Sequence, residues 1–185
     1  MSFNIRTGVD NFRKIRNENI YYADKTAFIE ELLSKNQSEV TLITRPRRFG
    51  KTVMMSMLQE FFDISKKSRK MFSGLSICEN SALCKTWMNK YPTIFLSFKD
   101  FHRGNFQEAL YNFNDTLATK IDSDFQFLIQ SEKILDADRT ILSNVRNRCA
   151  AKNELSIFLS FLMSCLKNYY KKDVIVLIDE YDVPL

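Results

Sequence analysis

The chain has 185 residues, of which 45% are hydrophobic and 26% are charged, as in an ordinary globular protein of about one domain. This composition excludes a disordered or fibrous chain, and the low counts of 4 glycines and 3 prolines argue for a helix-rich protein and against an all-β sandwich or barrel. The 27 Lys and Arg against 22 Asp and Glu give a formal charge of +5. That excess permits contact with phosphates but does not by itself indicate a nucleic-acid-binding protein.

Metal-binding, secretory and membrane signals are weak. The four cysteines form no CxxC pair and His102 is the single histidine, so a zinc site built from Cys and His is not expected. The N-terminus has no apolar segment of the secretory type, and the apolar-rich residues 155–166 fall short of the roughly 20 that a bilayer requires. We therefore expect a cytoplasmic protein with reduced thiols and no membrane association.

Apolar spacing in the first half of the chain predicts helix, helix, strand, loop and helix. Short helices are expected near residues 9–15 and 28–33, the second with Asp24 or Thr26 as its N-cap. Residues 40–44 predict a short β-strand, which leads through a charged loop into a new helix. The apolar face of that helix repeats at helical spacing and consists of Met54, Met57, Leu58, Phe61 and Phe62.

The second half continues the alternation. A strand is predicted at residues 93–98, helices over 106–121 and 155–166, and a final strand at 174–178. The last run is continuously apolar, which is typical of a strand covered on both faces. Strands separated by helices predict a three-layer α/β/α fold with a mostly parallel sheet. We expect one domain over residues 1–185, with a helical lead-in at 1–36 and the core over 40–185.

The segment between the first predicted strand and its helix carries the most specific pattern. Its last three residues, Gly50-Lys51-Thr52, match the second half of the P-loop pattern GxxxxGK[ST] in the required strand-to-helix context. Gly50 would let the backbone approach a phosphate, and the helix N-terminus would favour its charge. Lys51 would reach the β- and γ-phosphates and the Thr52 hydroxyl would bind Mg²⁺. The candidate nucleotide-binding residues are Arg45, Pro46, Arg47, Arg48, Phe49, Gly50, Lys51 and Thr52.

The final apolar strand ends in two carboxylates, Asp179 and Glu180. This is the Walker B arrangement, placed at the edge where open α/β sheets bind ligands. Asp179 would hold Mg²⁺ through water, and Glu180 would orient and deprotonate the attacking water. The expected catalytic residues are thus Glu180 and Lys51, and the expected metal ligands are Thr52 and Asp179. A solvated acidic strand end is the alternative for the two carboxylates taken alone.

Four segments together resemble the AAA-ATPase-like family of P-loop proteins, over nearly the whole chain. They are Thr44-Arg-Pro-Arg-Arg-Phe-Gly-Lys-Thr52, Tyr21-Tyr-Ala-Asp-Lys-Thr26, residues 91–100 and Asp179-Glu-Tyr-Asp182. An arginine at the place of the first P-loop glycine is usual in that family, so Arg45 fits the resemblance. The resemblance implies an ATPase that hydrolyses ATP with Mg²⁺.

Family members commonly continue into further strands and then into a domain that looks like a PD-(D/E)XK nuclease. Because that continuation is not in this sequence, we expect an incomplete P-loop domain, truncated after the Walker B strand. Sensor and arginine-finger residues are then not assignable, and the chain alone is expected to hydrolyse ATP weakly or not at all.

Alternatives stay open at this point. The chain could be a catalytically inactive fragment or interaction module, or, with less support, a nucleic-acid-binding module through the family's C-terminal domain. The expected cofactors are ATP and Mg²⁺, as the family resemblance implies, and a homo-oligomer is left open. The stretch Asp24-Lys25-Thr26 is equally well read as a plain helix start or as a segment beside the nucleotide.

Overall fold

The computed structural model describes residues 4–34, 39–44, 49–99 and 105–181. The chain divides into two compact units, Met1–Phe95 and Leu96–Leu185. Among the helices so described, none combines the length and the apolar character needed to cross a membrane.

Helices make up most of the regular structure in the described residues of the first unit. Two of its helices begin at asparagines, because the Asn11 and Asn80 side chains accept the Lys14 and Leu83 amide hydrogens that a helix start leaves unsatisfied. The helices predicted near residues 9–15 and 28–33 and after the charged loop are confirmed. The elements are α1 (Phe12–Asn17), α2 (Ala27–Ser34), α3 (Lys51–Phe62), α4 (Arg69–Phe72), a 3-10 turn (Ser76–Glu79) and α5 (Ser81–Trp87).

Helix α3 is the centre of this unit's core. All five of its predicted apolar residues are buried, at 3% exposure or less. The rings of Phe12 and Phe61 both pack against that of Phe72, with centroids 5.0 Å and 5.4 Å apart. Since burial of one such ring is worth about 1.5–3 kcal/mol, these contacts fix α1 and α4 against α3.

A partly buried ion pair joins α1 to the same helix, with the carboxylate of Glu60 buried and the Arg13 side chain half-exposed. Arg13 donates from Nε and Nη2 to the two carboxylate oxygens of Glu60, at 3.0 Å and 2.6 Å. The Ser68 hydroxyl donates to Glu60 Oε2 at 2.6 Å, and Lys66 Nζ lies 3.8 Å from Oε1. Burial by itself would raise the pKa of Glu60, but the hydrogen bonds from Arg13 and Ser68 outweigh it, so the pKa lies below its ordinary value.

The carbonyls at the end of α3 are satisfied by Asn89. Its backbone N–H donates to Phe61 O at 2.7 Å, and its side-chain amide donates to the carbonyls of Glu60 and Asp63, both at 3.0 Å. Asn89 has φ of 56°, a left-handed conformation that asparagine tolerates better than most residues. One residue thereby closes the C-terminal end of the helix.

The second unit contains the longest helix and the last strand. The predicted helices over 106–121 and 155–166 and the predicted strands at 93–98 and 174–178 are confirmed, and the division between units falls inside β1. Leu155, Phe158, Leu162 and Leu166 are buried as the spacing predicts. The elements are β1 (Thr93–Ser97), α6 (Phe106–Lys120), a π-helical segment (Ile121–Phe125), α7 (Gln126–Gln130), α8 (Asp136–Arg146), α9 (Lys152–Tyr170) and β2 (Ile175–Asp179).

The strand predicted at residues 40–44 is wrong. The structure gives these residues no regular secondary structure, and Val40 and Leu42 are 81% and 64% exposed. A strand needs the ladder of a neighbouring strand to satisfy its backbone groups. In the described part of the chain the sheet consists only of β1 and β2, which run parallel. The molecule is therefore a helix-rich α/β protein with a small parallel sheet.

The expectation that the last strand is covered on both faces is also wrong. Leu177 and Asp179 are buried, whereas Ile178 between them is 37% exposed. Successive side chains of a strand point to opposite faces, so only one face of the C-terminal half of β2 is covered.

The four cysteines are free and differ in burial. Cys165 is buried, Cys84 is half-buried, and Cys78 and Cys149 are exposed.

Replacing Arg13 by Met tests the ion pair that joins α1 to α3. We expect a loss of about 3 kcal/mol in the free energy of unfolding at pH 7, because Glu60 would stay buried without its main partner. Urea unfolding followed by the fluorescence of Trp87, the single tryptophan, would measure the change in the first unit. Arg6→Met is the control, since the Arg6–Glu18 pair is exposed and should cost at most about 1 kcal/mol.

The stability difference between wild type and Arg13→Met should depend on pH. A carboxylate with a lowered pKa stabilises the folded state above its unfolded pKa, and this stabilisation is lost as the pH falls through the folded value. The difference between wild type and Arg13→Met should therefore shrink below about pH 4.5, the ordinary value for a glutamate. A difference that stays constant down to pH 3 would contradict this account.

Candidate functional site

The start of α3 has the backbone geometry that the sequence pattern predicts. Gly50 is its N-cap, with φ of 76° and ψ of 29°, and no side chain caps this end. Glycine takes this left-handed conformation without the steric cost that a Cβ brings. The first intrahelical bond runs from Met54 N to Gly50 O, at 2.9 Å.

The first turn of α3 is suited to an anion. The amide hydrogens of Lys51, Thr52 and Val53 precede that first bond and have no acceptor within the helix. The first turn contains no acidic residue, and a helix N-terminus carries partial positive charge. The turn thus presents N–H groups and the half-buried side chains of Lys51 and Thr52 at one place, as phosphate binding requires.

The rest of the predicted loop is only partly described. Phe49 is 58% exposed and leads directly into Gly50. The predicted phosphate contacts of Arg45, Pro46, Arg47 and Arg48 lie outside the described residues and stay predictions.

A lysine from far earlier in the chain contacts this loop. Lys25 Nζ donates to the carbonyl oxygen of Phe49 at 3.1 Å. A Cβ added to Gly50 would lie 3.4 Å from the same nitrogen. The sequence left the Asp24-Lys25-Thr26 stretch undecided between a helix start and a neighbour of the nucleotide, and the structure places Lys25 against the loop.

The residues on either side of Lys25 are held by a clamp, which consists of Asp24, Thr26 and Ser76. Asp24 Oδ1 accepts from the Thr26 amide and hydroxyl at 2.8 Å and 2.7 Å, and Oδ2 accepts from the Ser76 amide at 2.8 Å. The Thr26 side chain is fully buried, and its Oγ1 lies 3.0 Å from Ser76 Oγ. Burial alone would raise the pKa of Asp24, but these hydrogen bonds lower it below its ordinary value.

The end of β2 has an unusual carboxylate. Asp179 is only 4% exposed, and its Oδ2 is a buried atom without a hydrogen-bond partner among the described residues. Its backbone carbonyl accepts from the Phe98 amide at 3.1 Å, which fixes the strand end beside β1. A buried acceptor of this kind is costly unless a water, an ion or a ligand satisfies it, and carboxylate oxygen is a ligand that Mg²⁺ prefers.

Glu180, the next residue, has a strained backbone. Its φ is 53°, a left-handed conformation that costs a non-glycine residue about 1–2 kcal/mol. The turn directly follows the buried Asp179 and leaves Glu180 half-buried. Strain of this kind is found where a side chain must point in a direction that regular structure does not offer.

The predicted site residues thus fall into two groups. Gly50, Lys51 and Thr52 come together at the start of α3 in the first unit, and Asp179 and Glu180 at the end of β2 in the second. The described residues hold no cluster of three or more His, Cys, Asp or Glu that could bind a metal. The predicted Mg²⁺ site, with one hydroxyl, one carboxylate and substrate phosphates, would form no such cluster.

Comparison with known proteins places the chain in a family. A helix-rich α/β protein with a glycine-capped Gly-Lys-Thr helix start has the features of a nucleotide-binding protein, and the family described as "Predicted AAA-ATPase" matches residues 6–185. The chain belongs to this family. Membership supports nucleotide binding in general terms.

One relative is an uncharacterized protein encoded in the vnfD 5′ region of Azotobacter chroococcum mcd 1. It is 33% identical over 92 residues, which are 49% of this chain and 16% of that protein. The chain thus matches about one sixth of its relative's length. No solved structure matches the chain.

The sequence indicates part of the clamp, but it does not indicate the contact of Lys25 with the Phe49 carbonyl. An Asp two residues before a Thr is a known local turn signal, but its second partner, Ser76, is 52 residues away. Nothing in the local pattern of Lys25 indicates its acceptor, the Phe49 carbonyl.

Asp24→Asn tests the clamp. An amide nitrogen would face one of the three donors that the carboxylate now accepts from, so we expect a loss of about 1 kcal/mol in the free energy of unfolding at pH 7. Because the pKa of Asp24 is lowered in the folded state, this difference should decrease as the pH falls below about 4. Urea unfolding followed by Trp87 fluorescence would measure it. Glu79→Gln, at an exposed carboxylate of the same unit, should change stability by less than about 0.5 kcal/mol, and an equal loss there would contradict the prediction.

Proposed function

We propose that this chain is the nucleotide-binding part of a P-loop ATPase of the AAA type, with a three-layer P-loop fold. The observation that carries the proposal is the start of α3, where a left-handed Gly50 leads into Lys51 and Thr52 with no side-chain cap and no acidic neighbour. A nucleoside triphosphate offers this end of the helix the negative charge that it lacks.

Each group of residues would have a defined role. Lys51 would bind the β- and γ-phosphates through its ammonium, and the Thr52 hydroxyl and the buried Asp179 carboxylate would hold Mg²⁺. The metal would supply neutralisation of the phosphate charge. Support for the Asp179 role comes from its buried Oδ2, which has no partner in the described part of the chain.

Glu180 would serve as the base. Its carboxylate would accept a proton from water as the water oxygen attacks the γ-phosphorus and the bond to the β–γ bridging oxygen breaks, giving ADP and inorganic phosphate. The strained φ of 53° supports this role, because it turns Glu180 out of the strand direction directly after Asp179. We propose that the protein acts in the cytoplasm and that ATP is its ligand. The proposal assigns no oligomeric state.

Lys51→Ala should remove most of the affinity for Mg·ATP. A charge-assisted hydrogen bond is worth about 1.5–3 kcal/mol, so we expect a 10- to 100-fold increase in Kd. Isothermal titration calorimetry of the chain would measure it. Lys85→Ala, which removes an exposed lysine of α5, is the matched control and should bind as the wild type does. A folded Lys51→Ala variant with unchanged affinity would overturn the phosphate-binding assignment.

Glu180→Gln should separate binding from hydrolysis. The amide cannot accept the proton, so we expect kcat to fall by about 10²- to 10⁴-fold, while Kd for Mg·ATP changes less than about threefold. Phosphate release would measure the rate, with Glu79→Gln, at an exposed glutamate, as the control. ATP binding with no turnover in the wild type would instead favour an inactive binding module.

A further inference from the structure

We propose that Lys25 is a second positioning cation of the nucleotide site, one that holds the turn before α3 and contacts the polyphosphate with the same ammonium. This inference rests on the proposed function and names a residue from outside the P-loop pattern. It would assign a role to the Asp24-Lys25-Thr26 stretch, which the proposed chemistry does not yet use.

The first argument is the place of the ammonium. Lys25 Nζ donates to the Phe49 carbonyl, at 3.1 Å, across 24 residues of sequence. It lies 3.4 Å from the point where a Cβ on Gly50 would be, so it stands at the residue that immediately precedes Lys51. A phosphate bound to the first turn of α3 would therefore lie beside the Lys25 ammonium.

The second argument is the rigidity of the backbone that carries Lys25. The residues before and after it belong to the clamp, in which Asp24 accepts three hydrogen bonds. The buried Thr26 also accepts from the Ile77 amide at 3.2 Å. A long lysine normally loses side-chain entropy when it binds, but a fixed base and a bond to the Phe49 carbonyl reduce that loss and preorganise the ammonium.

The third argument is charge. An ammonium has three N–H donors, and within the described residues Lys25 uses one of them, on Phe49. The neighbouring Asp24 carboxylate is directed to Thr26 and Ser76, and the first turn of α3 has no acidic residue. A positive group beside the positive end of a helix is unfavourable until an anion joins them. The ligand that suits this combination is a polyphosphate.

The test compares three variants of Lys25 in the whole chain by calorimetry with Mg·ATP. Lys25→Arg keeps the charge and the donors, Lys25→Gln keeps a donor without charge, and Lys25→Met keeps the stem without either. We expect Kd to rise about tenfold for Gln and Met and to stay within about threefold for Arg. The dependence of Kd on salt should be weaker for Gln and Met, because one charge contact with phosphate is lost. Lys85→Ala is again the control, and thermal unfolding checks that each variant folds.

The outcomes separate this inference from the proposed function. Unchanged affinity and salt dependence in a folded Lys25→Met would overturn the role of Lys25 alone, provided that Lys51→Ala still loses binding. Affinity kept by Gln but lost by Met would show that Lys25 only anchors the Phe49 carbonyl, which overturns the phosphate contact. Failure of the wild type to bind Mg·ATP would overturn the proposed function and the role of Lys25 with it.

Discussion

The ion pair between Arg13 and Glu60 is the constraint on which the first unit depends. It holds the last turn of α3 against α1, and the Phe12 amide holds the middle of the helix by donating to Ser56 Oγ at 3.0 Å. Asn89 binds the last carbonyls at that same end of α3. With its body and its C-terminal end held, the helix can leave the amide hydrogens of its first turn unsatisfied. The polar groups of this unit stabilise α3 along its body and at its C-terminal end. They leave uncapped its N-terminal end, where we propose that the ligand binds.

In the first unit the candidate site residues lie at an uncapped helix end. In the second unit they are a buried carboxylate and a residue with a strained backbone. Asp179 keeps a carboxylate oxygen buried without a described partner, and Glu180 has a left-handed backbone. Both features cost folding free energy. Favourable packing must offset these costs, and the buried apolar face of α9 is the largest stretch of such packing that one helix of this unit provides.

Local pattern predicts the main helices of both units. Helices α3 and α9 follow from apolar spacing alone, since one turn of helix decides which residues share a face. The Gly50-Lys51-Thr52 pattern also correctly places the start of α3. Residues 40–44 fail because an apolar β-branched run indicates burial without naming the strand that must pair with it. The clamp and the Phe49 contact of Lys25 depend on neighbours 24 to 52 residues away, which no local window contains.

The left-handed backbone at Gly50 restricts what can replace this residue. Any other side chain at position 50 would have to adopt a φ of 76° at a steric cost. Space is not the restriction, because a Cβ there would lie 3.4 Å from Lys25 Nζ, an ordinary van der Waals distance. The demand for glycine at position 50 therefore comes from the turn itself, and it would remain whichever residue stood at position 25.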